Sequence, residues 1–292
     1  MIVVTTPTGN IGSKLIPHLF EAGEHVTVIA RNPAKLNDDV RARVRIVVGS
    51  SDDEAVLLRA LEGAEGLFHV VPPSPRLTND RAFYLQFTEP AIRAVARQGV
   101  KRVVSVSGLG RKSPLKAGVV SASFAKDEAW EQSGVDFRAL WCPGFLDNFL
   151  HSVSTLREQG VFFGPQRGDV KSPKVATRDI AATAARLLVD RTWSGQGGLA
   201  VLGPEDLSYE ETAAILTEVL GRPIRYQQIS GETYKAQLTQ RGATPEFADS
   251  LLEMFAAKDR GLDNIDPRTA ENTTPTSFRA WAEEVLKPLI VG

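Results

Sequence analysis

The sequence predicts an α/β protein: a doubly wound parallel sheet followed by a smaller α+β lobe. Three observations carry that reading. Six short apolar runs alternate with helical stretches through the first half of the 292 residues, the order that builds one sheet with helices on both faces. Those runs lack a clean alternation of apolar and polar residues, as suits strands covered on both sides. The elements of the second half are mixed and lose that rhythm.

Taken in order, Ile2 to Thr5 is a strand stopped by Pro7-Thr8-Gly9. From Asn10 to Ala22, Ile11, Leu15, Ile16 and Leu19 recur at helical spacing, and Gly23 supplies a C-cap. His25 to Ala30 and Val44 to Val48 are the second and third strands, and Val56, Leu57 and Leu61 make Glu54 to Leu61 helical. Gly66 to Val71 is the fourth strand, stopped by Pro72-Pro73, and Ala82 to Gln98 is a long helix kinked or broken at Pro90. Lys101 to Ser107 is the fifth strand, Phe124 to Ser133 a helix closed by Gly134, and Asp136 to Trp141 the sixth strand. Beyond them, Thr177 to Leu188 is helical with Thr177 as the expected N-cap, and Leu199 to Leu202 is strand-like. Ser208 opens a helix through Leu220, with Glu211 completing a capping box. Pro223 to Ile229 is a strand, and Thr233 to Arg241, Glu246 to Lys258 and Phe278 to Leu286 are helices. Gly160 to Pro173 and Arg260 to Pro275 read as mobile loops.

Thirty-four Lys and Arg against 35 Asp and Glu leave a net charge of −1, which excludes a surface built throughout for nucleic acid. Hydrophobic residues at 42% and charged residues at 24% are an ordinary globular balance. Cys142 is the sole cysteine, so neither an intrachain disulfide nor a cysteine-cluster metal site can form, and a reducing compartment is expected. Met1 runs straight into Ile2-Val3-Val4 without a basic leader, and no apolar run reaches the ~20 residues that span a bilayer. A cytoplasmic location and no membrane or nucleic-acid partner are expected. The histidines show no metal-ligand spacing, so no metal is expected, and there is no G-x-S-x-G elbow.

The most informative segment is Thr6-Pro7-Thr8-Gly9-Asn10-Ile11-Gly12, between the first strand and the first helix. A pyrophosphate is held by backbone N–H groups at the positive end of a helix dipole. Glycine lets the backbone come close without a Cβ in the way. Gly9 and Gly12 fall where that need arises, and Thr6, Thr8, Asn10 and Ile11 complete the loop. A glycine turn without ligand is the alternative, and the strand–turn–helix context weighs against it. An Asp or Glu at the end of the second strand would take the ribose 2′-hydroxyl of NAD. Arg31 stands there instead, with Lys35 one helical turn on. Two cations suit the 2′-phosphate of NADP(H), with a solvated surface pair as the alternative. Asp52 is either an adenine contact or the N-cap of the next helix. Val71, at the end of the fourth strand, completes the expected cofactor contacts.

At these residues the chain resembles the NmrA-like branch of the atypical short-chain dehydrogenases/reductases. The likeness runs almost the whole length, through TPTGNIG, ARNPAKL, VKRVVSVS, SGVDFRAL with PGFLDN, RDIAATAARLL and VLGPEDLSYEETAAILTEVLGRPI. With TPTSFRAWAEEVL, the last stretch looks like bacterial relatives of the festuclavine-dehydrogenase type. Triphenylmethane-dye reductases and NADPH–quinone reductases belong to the same branch. The resemblance implies a Rossmann-like nucleotide-binding domain over residues 1–150, with about 176–203 packed back on it. It implies a mainly substrate-binding lobe over 151–292 and a substrate cleft between the two.

Three departures accompany it. The family turn reads G-x-x-G-x-x-G, and Thr6 stands at its first glycine. Trp141 and Cys142 stand where Arg-Pro precedes the family's F-x-x-N, of which Phe145 and Asn148 match. The Tyr-x-x-x-Lys of ordinary members is missing. Counting back from Lys126 puts Ala122 in the tyrosine place, whereas counting back from Ser133-Gly134 puts Ser123 in the lysine place.

Lys126 and Ser107 are the candidate catalytic residues. Ser105 and Ser107 end the fifth strand, where a nicotinamide-ribose contact and plain strand-end hydrogen bonding compete. His69 reads as a satisfied sheet histidine, Cys142 as a small buried filler, and Trp130, Trp193 and Trp281 as packing. Arg111, Lys112 and Lys116 read as a solvated, flexible lid. The expectation is an NAD(P)H-dependent reductase passing hydride to a small, mostly apolar substrate: a quinone, an iminium compound or a dye. The alternative is an NADP(H)-binding redox sensor without turnover, whose second lobe meets a regulatory protein partner. The missing Tyr/Lys pair favours the sensor, and the second lobe favours an enzyme cleft.

Overall fold

In the computed structural model, which describes residues 1–71 and 74–291, one parallel sheet organises the chain. The stop expected at Pro72-Pro73 lies outside the described residues. The sheet joins β1 (Ile2–Val4), β2 (Val26–Ala30), β3 (Arg45–Val48), β4 (Gly66–His69), β5 (Arg102–Gly108) and β6 (Asp136–Cys142). A seventh strand, Gln196–Ala200, arrives from far along the chain and pairs in parallel with β6. From that strand inward the order is β6-β5-β4-β1-β2-β3. Winding therefore reverses between β1 and β4, where Val3 faces Thr27 on one side and Leu67 on the other.

Helices cover both faces, which is why the central strands β1, β2 and β4 are buried at every residue. Leu15, Ile16 and Leu19 of α1 (Gly12–Glu21) pack on Ile2, Val4 and Val28. On the other face, α3 (Glu54–Leu61), α4 (Asp80–Gln98) and α5 (Val119–Gln132) bring Leu57, Ala94 and Trp130 onto Val3, Leu67 and Phe137. Each such buried Leu or Phe contributes about 1.5–3 kcal/mol. The short α2 (Asp38–Arg43), capped by Asn37, went unread because it buries nothing. Helix α4 runs unbroken through Pro90 between its Asn79 cap and a left-handed Gly99.

Past β6 come β7 (Gly144–Phe145), a 3-10 turn over Leu146–Ser152, α6 (Val153–Gln159), β8 (Val161–Gly164), β9 (Ser172–Val175) and α7 (Thr177–Val189). Helix α7 lies beside α1, adding Ile180, Ala184 and Leu188 to the same core. After the seventh sheet strand, now β10, follow β11 (Asp206–Leu207), α8 (Tyr209–Leu220), β12 (Arg225–Gln228), α9 (Gly231–Gln240), α10 (Pro245–Asp259), α11 (Phe278–Trp281) and α12 (Lys287–Val291). Order β11-β9-β7 makes a small sheet, and β8 pairs with β12. Leu146, Phe149, Phe162, Leu216, Phe278 and Trp281 form a separate apolar core. The capping box of Ser208 and Glu211 is present.

Several readings need correction. Thr177 is the first residue of α7, not its cap, because its hydroxyl is bonded to Asp147. Asp53, not Asp52, caps α3. The stretch read as a loop at 160–173 contains β8 and is tied down where the Arg167 N–H meets the Asp259 carboxylate at 3.1 Å. Its counterpart at 260–275 is held by Arg268 on the Gly203 carbonyl at 2.9 Å. The expected lid after β5 is pinned by a two-pronged Arg111–Glu131 pair, one contact at 2.7 Å. Among the described residues no helix is long and apolar enough to cross a membrane, and no group of three metal-ligating side chains gathers.

Candidate functional site

Open α/β sheets offer their ligand crevice at the carboxyl ends of the strands, where winding reverses. Thr5 closes that point: its hydroxyl takes the Val70 N–H at 3.1 Å, stitching the end of β1 to the end of β4. The turn that follows is built on the Thr6 carbonyl, which accepts the Gly9 N–H at 3.1 Å. The Gly9 carbonyl then accepts the Ser13 N–H at 3.0 Å and opens α1. The N–H groups of Asn10, Ile11 and Gly12 find no acceptor among the described residues. Three unpaired donors at a helix N-terminus make an anion cradle.

The two glycines have different jobs. A Cβ on Gly12 would stand 2.0 Å from the Thr6 carbonyl oxygen, so the turn can close only over glycine. A Cβ on Gly9 would meet nothing nearer than 3.4 Å, so the free fold does not demand glycine there. Thr8 and Asn10 are exposed, while Ile11 is buried in the core beneath α1 and offers only its backbone.

Arg31 and Lys35 are exposed at the end of β2, and among the described residues no carboxylate lies within ion-pair distance of either. Asp52 accepts from the Gln86 amide at 3.2 Å, and Val71 is buried after β4. The turn, Arg31, Asp52 and Val71 thus follow β1, β2, β3 and β4 at the carboxyl edge of the sheet.

Lys126 and Ser107 are brought together, but under the surface. Lys126 is fully buried, and its Nζ donates to Ser105 Oγ at 2.6 Å, Ser107 Oγ at 2.9 Å and Asp127 Oδ1 at 2.8 Å. Three acceptors occupy all three ammonium protons. Ser107 donates to Asp127 Oδ1 at 2.6 Å, and Ser105 to the His69 carbonyl at 2.6 Å. The group clamps α5 to the ends of β4 and β5. His69 accepts from Trp130 Nε1 at 3.2 Å, and its Nε2 has no partner among the described residues. Burial, helped by the Lys126 charge, lowers its pKa to about 3, so it stays neutral. Burial likewise pushes the Cys142 thiol up, which leaves it inert.

A cleft of about 640 Å³ opens between the first turns of α4 and α5 and the flank of α10. Gly118, Ser121 and Ala122 line it from α5, and Ser250 and Glu253 from α10. Ala122, the tyrosine place of one register, therefore faces open space without a hydroxyl. Ser123, the lysine place of the other, turns its hydroxyl onto the Val120 carbonyl at 2.7 Å.

Sequence reasoning missed Lys14. Its ammonium meets Asp147 and Thr177, residues 133 and 163 positions away. A signal was present, since a lysine in the first turn of a helix opposes the dipole and needs a reason.

The NmrA-like family matches residues 1–283. The chain is 31% identical over 258 residues to the NAD(P)H azoreductase of Xenophilus azovorans, spanning 88% of this chain and 86% of that one. It is 30% identical to the (4-alkanoyl-5-oxo-2,5-dihydrofuran-3-yl)methyl phosphate reductase of Streptomyces griseus, over 97% of each. The NADPH-dependent quinone oxidoreductase of Escherichia coli, solved with NADPH, shares the fold at TM-score 0.79 and 26% identity, over 96% of this chain and 97% of that one.

Proposed function

The chain belongs to the NmrA-like family, and on that premise we propose that it is an NAD(P)H-dependent reductase of small conjugated acceptors, of the quinone or dye type. The observation that carries this is the turn at residues 6–12, with three N–H groups unpaired among the described residues and with Arg31 and Lys35 exposed after the neighbouring strand β2. The nucleotide rests on residues 1–150, and the acceptor lies in the cleft under α10. A cytoplasmic location accords with the lone, buried Cys142.

When bound, the reduced nicotinamide supplies the hydride. The chain supplies position: N–H groups for the pyrophosphate, cations for the 2′-phosphate and a cleft for the acceptor. Neither residue of the expected Tyr/Lys place offers the cleft a proton, because Ala122 has no hydroxyl and Lys126 keeps its protons on three buried partners. Reduction of a ketone puts charge on oxygen and needs such an acid. A cationic acceptor is neutralised by hydride directly, and a quinone yields a stable phenolate that water protonates.

Cationic-dye and quinone acceptors are therefore expected to be reduced and simple ketones hardly at all. Between about pH 6 and 8.5 the hydride step should show no alkaline fall. Single-turnover NADPH oxidation at several pH values, with a ketone and a cationic dye side by side, tests this. Fast ketone reduction that fades at high pH would overturn it.

Cofactor choice has its own test. A charge-assisted contact from Arg31 to the 2′-phosphate contributes about 1.5–3 kcal/mol, or roughly 10–100-fold in affinity. Arg31→Ala is expected to weaken NADPH by that factor and leave NADH nearly unchanged. Equal loss for both would mean that Arg31 supports the fold instead.

A further inference from the structure

We infer that Lys14 is a positioning residue for the cofactor pyrophosphate, acting through the Asn10–Ile11 peptide; the inference rests on the cofactor reading above. Lys14 sits in the first turn of α1, where a cation is electrostatically misplaced. Its ammonium is nonetheless held on three sides. Nζ donates to the Asn10 carbonyl at 2.9 Å, to Thr177 Oγ1 at 2.7 Å and to Asp147 Oδ1 at 3.1 Å. Asp147 is itself buried and fixed by Thr177, whose N–H reaches Oδ2 at 3.1 Å and whose hydroxyl reaches Oδ1 at 2.7 Å.

In a trans peptide the C=O and N–H of one unit point in opposite directions. A cation that holds the Asn10 carbonyl therefore aims the Ile11 N–H the other way. That N–H is one of the three turn donors without an acceptor among the described residues. The Ile11 side chain is anchored in the core, so the peptide is fixed on both sides. Lys14 thus presets one donor of the anion cradle before any ligand arrives, which spares the ordering entropy of binding. The same contact ties the turn to Asp147, the neighbour of Asn148 in the matched F-x-x-N stretch.

The test uses Lys14→Met, which removes the ammonium and leaves Asp147 both of its bonds from Thr177. The full chain is titrated calorimetrically with NADPH, with ADP-ribose, which has the pyrophosphate alone, and with 2′-AMP, which has only the 2′-phosphate. Thermal melts run alongside. The expected result is a loss of roughly five- to twentyfold in affinity for NADPH and ADP-ribose and unchanged 2′-AMP binding, with a melting temperature lowered by the loss of the cation beside buried Asp147. Equal NADPH affinity in variant and wild type would overturn the inference. So would a parallel loss for 2′-AMP, which marks general loosening. Failure of the wild type to bind NADPH at all would overturn the cofactor reading itself.

Discussion

Lys126→Met is expected to destabilise the protein by about 3–5 kcal/mol, because it strips a fully buried carboxylate of its cation. Asp127 would keep only the Ser107 hydroxyl on Oδ1, and its Oδ2 already lacks a partner among the described residues. Desolvating an ion is costly, and the loss of its partner leaves that penalty uncompensated. The double variant Lys126→Met with Asp127→Leu removes both charges and is expected to regain most of the stability. Urea unfolding of wild type, single and double variants measures both statements. A single variant within about 1 kcal/mol of wild type would refute the clamp, and a double variant as weak as the single would refute its electrostatic origin. A large loss of stability also bears on chemistry. It would mark Lys126 as a residue that fixes the ends of β4 and β5, so that any loss of activity in the variant is read together with its stability.

Gly12→Ala is expected to abolish NADPH binding, by ~100-fold or more, and to lower the melting temperature. Its Cβ would fall 2.0 Å from a backbone oxygen, which cannot swing aside as a side chain could. The turn must open, and the three N–H groups lose their common focus. Gly9→Ala is the contrast. Its Cβ meets only ordinary contacts in the free protein, so it should melt as wild type does. Its cost should appear on binding, where the backbone must approach a phosphate. NADPH fluorescence titration with parallel melts separates the two. If Gly12→Ala binds and melts normally, the closed turn is not the binding geometry. If Gly9→Ala binds NADPH as wild type does, the pyrophosphate does not approach the chain at that residue.

Much of this was legible along the chain, and the reason is locality. Six strands and the helices between them announce themselves by the period of their apolar residues, as Ile2–Val4 followed by Leu15, Ile16 and Leu19 does. The phosphate turn is seven consecutive residues whose glycines answer a backbone requirement. Arg31 is read from its place one residue past a strand. These features belong to short stretches and survive any arrangement of the rest.

What only the tertiary structure decided lies in partners far apart in sequence. Gln196–Ala200 could be read nearby as a strand, yet its seat beside β6 depends on pairing across some sixty residues. Lys126 is a candidate by its place in the sequence, but only folding places Ser105, Ser107 and Asp127 around its ammonium and closes it from solvent. Lys14 carried no motif, and its meaning came from Asp147 and Thr177 on other elements. A side chain's period and backbone needs are written in its neighbours along the chain. Its burial and its hydrogen-bond partners exist only once packing has brought remote segments together, and those two quantities decide whether a lysine clamps, orients or reacts.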